Sequence, residues 1–124
     1  MNLPKNYHRV MPYLILKKIP DFMEFAKRVF GAEVLAVHKD GTGAVVHGEI
    51  TIEDSTIMMG ESSGSWGVQN AGLFIYVENA DETYAKALES GATIVTPLED
   101  QEYGRSGGIK DPFGNTWWIT TYKE

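Results

Sequence analysis

The hydrophobic positions change their period along the chain, and the changes mark out its elements. "VMPYLILKK" is rich in strand formers and predicts a first strand. In "IPDFMEFAKRVFG", Phe22, Phe25, Ala26, Val29 and Phe30 recur at helical spacing, with Pro20 and Asp21 as start signals and Gly31 as the stop. "AEVLAVHKDGTGAVVHGEITIEDSTIMMGE" alternates strand-like runs with turn chemistry at Asp40-Gly41 and Glu53-Asp54, which predicts a meander of three strands. "SSGSWGVQN" is small, polar and unpatterned, and reads as a linker or mobile loop.

After the linker the order repeats. "AGLFIYVEN" predicts a strand and "ADETYAKALESG" a helix, with Asn79 or Asp81 as cap and Gly91 as stop; "ATIVTPLED", "YGRSGGIKD" and "NTWWITTYK" supply three more strands. "FAKRVFGAEV" in the first half matches "YAKALESGATI" in the second, as a duplicated unit would. The expected architecture is one α+β domain over 1–124, made of βαβββ modules at 8–61 and 71–122 joined by a linker at 62–70. A helix covers only one face of each sheet, so the other face must meet its twin, a partner chain or a ligand.

Composition narrows the functions. The chain has 124 residues, a net charge of -6 and no cysteine. Phosphate neutralisation needs clustered Lys and Arg, so no nucleic-acid partner is expected. Without cysteine there is no disulfide, thiolate metal site or Cys nucleophile. No stretch is long and apolar enough to span a bilayer, and "MNLPKNYHRV" lacks the apolar run of a signal peptide. The expectation is a cytoplasmic protein with no membrane partner.

Three segments, "EFAKRVFGAEV", "VHGEITIEDSTIMMGE" and "YGRSGGIKDPFGNTWWITT", set in tandem βαβββ halves, resemble the vicinal oxygen chelate superfamily. That superfamily holds glyoxalase I, extradiol dioxygenases, and fosfomycin and bleomycin resistance proteins, and the chain is most similar to its PhnB-like, glyoxalase-like branch. The most specific match runs from Arg105 to Trp118. The resemblance implies two modules whose sheets curl into a cup, with ligand or metal on the concave face. Its metal-using members carry His or Glu at four cup-facing positions, which align here with Met11, Met58, Gly72 and Trp118. A thioether is a poor donor to zinc or iron, and an indole offers only an N–H. The expectation is therefore no cofactor and no metal at these positions.

Adjacent strand residues point to opposite faces. Parity sends Trp117, Ile119 and Thr121 to the helix-facing core, and Thr116, Trp118 and Thr120 to the other side. The same counting puts Met11, Tyr13, Ile15, Phe74 and Tyr76 on the concave side, a wall suited to a planar or apolar ligand. His47 and Glu49 share a strand face and match the branch's H-x-E feature, as polar groups in the cup or as a hydrogen-bonded structural pair. Glu61, at a strand end, is a candidate base or cation acceptor, or simply a solvated residue. Arg105 is the candidate for an anionic contact, or a pin for the Gly-rich loop. Trp66 in the linker is a candidate lid, a dimer contact or a lone exposed ring. His8 and His38 read as solvated, and Asp111 as a turn residue.

Two readings from different classes result. The first is a metal-independent small-molecule binding protein, a homodimer holding a planar or aromatic ligand through Met11, Tyr13, Glu49, Met58, Trp66, Phe74, Tyr76, Arg105 and Trp118. The alternative is a glyoxalase-like lyase, isomerase or hydrolase with Glu61 or His47 as general base, with or without a divalent metal such as Zn, Ni, Mn or Fe in a nonstandard site. A third possibility is an interaction module in which Trp118 and the methionines pack as a second core.

Overall fold

The structure is a computed structural model describing residues 1–124. The elements follow in the order β1 (Tyr13–Leu16), α1 (Ile19–Phe30), β2 (Glu33–Lys39), β3 (Val45–Ile52), β4 (Ser55–Glu61), β5 (Gly72–Tyr76), α2 (Ala80–Glu89), β6 (Thr93–Gln101), β7 (Gly104–Lys110) and β8 (Thr116–Tyr122). The protein is α+β, with βαβββ occurring twice. Two four-stranded mixed sheets form, in orders β1-β4-β3-β2 and β5-β8-β7-β6, and in each the first strand runs parallel to the last. By contacts the chain divides into two compact units, residues 1–27 with 31–69 and residues 28–30 with 70–124.

In the first unit, α1 buries Ile19, Phe22, Met23 and Ala26 together with Leu14, Leu16, Ile50, Ile57 and Met59 of the sheet. At Gly48 of β3 the helix lies close, and a Cβ there would fall 2.3 Å from the Met23 methyl and 3.0 Å from Ile19. Gly31 ends the helix in the left-handed conformation, its N–H reaching the Lys27 carbonyl. The N-terminus is capped from outside the helix: the Glu61 carboxylate at the end of β4 accepts from Lys18 N (2.9 Å) and Ile19 N (3.2 Å).

The second unit repeats these devices with different residues. Here Tyr84 of α2 meets the sheet at Gly107, where a Cβ would lie 2.8 Å from its ring. Asn79 is the N-cap, accepting from Glu82 N, and Thr121 at the end of β8 accepts from Ala80 N at 2.7 Å. Trp117 and Ile119 are buried under the helix, as strand parity predicts. Asp111 is the hub of the Asp-Pro-Phe-Gly turn. It is buried and accepts from the backbone N–H groups of Phe113 and Asn115, the Asn115 amide and the Trp117 indole N–H (2.8 Å).

The linker is more ordered than its composition suggests. Ile15 and Gln69 exchange both backbone hydrogen bonds, and Ser62 N donates to the Leu16 carbonyl, so the segment returns along the free edge of β1. Its polarity hid this because an edge strand supplies backbone partners whatever the side chains are. No helix is long and apolar enough to cross a membrane.

Two of these networks set expected stabilities. Asp111→Ala leaves buried donors of Asn115 and Trp117 without an acceptor, at about 1–3 kcal/mol each, so a loss of about 3 kcal/mol or more is expected. Glu61→Ala removes the cap of α1 and should cost about 1–2 kcal/mol, with Glu61→Gln, which keeps an acceptor, losing less. Chemical denaturation of the variants beside the parent measures both; an unchanged midpoint for Asp111→Ala would show the hub to be dispensable.

Candidate functional site

The face of the first sheet turned away from α1 carries Tyr13 and Ile15 on β1, His47 and Glu49 on β3, and Met58 and Gly60 on β4. Tyr13 stands opposite Met58, Met58 opposite Glu49, and His47 opposite Gly60. At Gly60 a Cβ would fall 3.2 Å from the Tyr13 hydroxyl and 3.4 Å from its ring, so the bare backbone there lets the phenol lie down toward β3. The ring stops with its hydroxyl 3.1 Å from His47 Nδ1.

Four side chains then form a continuous hydrogen-bonded chain. Tyr7 O–H donates to Glu49 Oε1 at 2.5 Å, Glu49 Oε2 lies 2.8 Å from His47 Nε2, and His47 Nδ1 meets the Tyr13 hydroxyl. Glu49 is buried, His47 largely so, and Tyr13 half exposed. Burial pushes the Glu49 carboxyl up, but hydrogen bonds from Tyr7 and His47 and the charges of His47 and His38 outweigh it, and the net direction is down. The bond to Glu49 holds the Tyr7 phenol above its ordinary value, with burial and the Glu49 charge acting the same way.

Tyr7 is the member that sequence reasoning missed. It precedes the first strand and has no periodic context. Its segment is held in place by Thr56, whose hydroxyl donates to the Asn6 carbonyl, and by His8, whose Nε2 lies 3.0 Å from the Asp54 carbonyl. His8, expected to be solvated, is therefore a tether. His38 is exposed, with its ring centroid 5.1 Å from that of His47.

Beside this chain lies a pocket of about 560 Å³, lined by Tyr13, Ile15, Val46, Gly60, Glu61, Trp66 and Gln69. The returned linker forms one wall. Ser63 fixes its turn, its hydroxyl accepting from Trp66 N and its N–H donating to the Trp66 carbonyl. Trp66 is 64% exposed even so, an indole held at the mouth of the pocket.

Other expected site residues lie elsewhere. Glu61 lines the pocket, but both its oxygens accept from the N-terminus of α1, which gives it a structural role that solvation did not anticipate. His47 and Glu49 come together and Glu61 does not join them. Arg105 pairs with Thr121 on the helix side of β7, and its guanidinium is held by Asp81 (2.9 and 3.2 Å) and Asp100 (3.2 Å). It pins α2 to the sheet, which corrects its expected place among the ligand contacts. Its partners come from a helix turn and a neighbouring strand, a pairing that local sequence does not display.

The second sheet's outer face carries Phe74, Tyr76 and Trp118, with Tyr103 and Tyr122 alongside. Phe74 and Tyr76 pack edge to face at 5.1 Å, as do Tyr76 and Tyr122 at 5.7 Å. Trp118 lies beside two glycines: a Cβ on Gly72 would come 3.2 Å from its ring, and one on Gly108 would come 3.3 Å from its indole nitrogen. It is 38% exposed, so it is not packed into a second core. Thr120, two residues on, is buried and shares a 2.7 Å hydrogen bond with Ser106.

The four positions aligned with the metal-binding members hold Met11, Met58, Gly72 and Trp118, a donor set that does not fit zinc or iron. No group of three or more His, Asp or Glu side chains is gathered so as to hold a metal ion.

Comparison with known proteins agrees with this architecture. An uncharacterized protein of Mycobacterium bovis, Mb0911c, is 29% identical over 118 residues, covering 86% of this chain and 78% of its own length. Among solved structures, TnmS3, an antibiotic binding protein from Streptomyces sp. CB03234, superposes with a TM-score of 0.73 at 16% identity, over 94% of this chain and 97% of its own. A PhnB protein from Bacillus cereus gives 0.72 at 18% identity, over 92% and 99%. The family model described as Glyoxalase/Bleomycin resistance protein/Dioxygenase superfamily matches residues 7–119, nearly the whole βαβββ repeat, and the chain belongs to that superfamily.

Proposed function

We propose that this protein binds a planar, largely apolar small molecule, and that it does so without a metal. The observation that carries the reading is the 560 Å³ pocket between β1, β4 and the linker, walled by the Tyr13 and Trp66 rings and Ile15. Its volume is in the range of small-molecule sites, and its lining is apolar and aromatic with a few polar groups, as such sites require. The antibiotic-binding TnmS3 shares the fold and supports the same class of function. Phe74, Tyr76 and Trp118 offer a second stacking surface. A homodimer and a cytoplasmic location complete the proposed reading.

A specific observation favours a second reading. Glu49, His47 and Tyr13 are linked as a carboxylate, an imidazole and a phenol that ends at the pocket, an arrangement suited to moving a proton. A glyoxalase-like lyase or isomerase would use His47 in that chain, with Glu61 retained at the helix cap.

Titration with a panel of planar aromatic compounds, followed by tryptophan fluorescence, separates binding from its absence. Saturable quenching is expected, with Trp66→Ala weakening it about tenfold through loss of a stacking partner. Quenching that never saturates would refute the binding reading. Metal content by plasma mass spectrometry should be far below one per chain, and the melt should not move with added Zn²⁺, Ni²⁺, Mn²⁺ or Fe²⁺. A metal present at a hundred times its Kd would add about 2.7 kcal/mol, so a clear upward shift would refute metal independence. Light scattering at twice the 13.8 kDa chain mass checks the dimer.

A further inference from the structure

We propose that Tyr13 is the specificity-determining group of the pocket: its oxygen is presented as a hydrogen-bond acceptor, so the ligand carries an O–H or N–H donor on its planar frame, as a phenol or an aromatic lactam does. The inference rests on the reading of the pocket as a small-molecule site and says which class of molecule enters it.

Donor and acceptor chemistry sets the direction of each bond along the hydrogen-bonded chain. A carboxylate can only accept. Glu49 is buried between Tyr7 and His47, and its net shift favours the charged form, so both neighbours must donate to it. Tyr7 gives its phenolic proton, and His47 gives the proton on Nε2. In the proposed arrangement His47 is in its neutral form, which carries a single N–H, so that Nδ1 is left with its lone pair. The only group that Nδ1 meets is the Tyr13 hydroxyl, 3.1 Å away, and that hydroxyl must therefore donate to it. The proton of Tyr13 is then turned into the protein, and the oxygen's lone pairs remain for the pocket that Tyr13 lines.

The other groups around His47 do not compete for this nitrogen. His38 of β2 faces its ring without a hydrogen bond, and β4 contributes only Gly60 and Met58 opposite His47 and Glu49. Gly60 has a second part in the arrangement, because it leaves the space that the Tyr13 ring needs to reach His47. Polarity is thus set two residues away from the ligand, by a carboxylate that never touches it.

Two measurements test this. Two-bond ¹H–¹⁵N correlation spectra of the full chain at neutral pH should show His47 protonated at Nε2 and bare at Nδ1; the opposite tautomer, or an imidazolium protonated at both nitrogens, overturns the proposal whatever the ligand. Calorimetric titration with 2-naphthol, which can donate, and 2-methoxynaphthalene, which cannot, should then be run on the parent and on Tyr13→Phe. The preference for 2-naphthol is expected to fall about five- to tenfold in Tyr13→Phe, the scale of one net hydrogen bond, with 2-methoxynaphthalene binding unchanged. If both probes bind and the ratio is the same in the two proteins, the Tyr13 assignment is wrong and the pocket reading stands. If neither probe binds the parent, the pocket reading fails and the assignment falls with it.

Discussion

The site depends on how closely each helix can lie on its sheet. At Gly48 and at Gly107 there is no room for a Cβ against the helix above, and these glycines occupy equivalent positions on β3 and β7, opposite Met59 and Ile119. The contact sets which rows of side chains are buried under the helix. The last strand of each unit then holds the helix N-terminus, through Glu61 in one and Thr121 in the other. With helix height and N-terminus both fixed, the strand residues of opposite parity have no choice of face. Tyr13, His47, Glu49, Met58 and Trp118 all stand in that second row.

The two units use the second row differently. In the first, β3 places Glu49 where β7 of the second unit has Gly108, and β4 places Met58 where β8 has Trp118. A carboxylate on that face needs donors, and Tyr7 and His47 supply them. A glycine there needs cover, and the Trp118 indole lies against it. One substitution class thus produces a polar chain that ends at Tyr13, and the other an aromatic surface continued by Phe74 and Tyr76. Burying a carboxylate without partners would be costly, so Glu49 and its donors stand or fall together.

The fold was legible because it is encoded locally: helical period and stop glycines for α1 and α2, turn chemistry between strands, and a repeat that reveals the duplication. Strand parity also placed Trp117, Trp118, Tyr13, Phe74 and Tyr76 on the observed faces, since a period of two survives small boundary errors. What local pattern could not give was pairing across long separations. Tyr7 and Glu49 are 42 residues apart, and Glu61 and Ile19 are also 42 apart. Arg105 looked available for an anion because its carboxylate partners lie on other elements. The polarity of "SSGSWGVQN" concealed a strand-like return along β1, which is a backbone event that side chains do not announce.

These misses share a physical cause with the site itself. A side chain whose bonding capacity is used locally shows it in sequence, as Asn79 does at its own helix. One that bonds across the sheet does not, and it is there that the fold sets the direction of a hydrogen bond. In the proposed arrangement Glu49 fixes the donor of His47 and His47 the proton of Tyr13, and of the four linked side chains Tyr13 is the one that lines the pocket. On that proposal the group facing the pocket is the half-exposed Tyr13 phenol, and its polarity is decided at the buried Glu49 carboxylate.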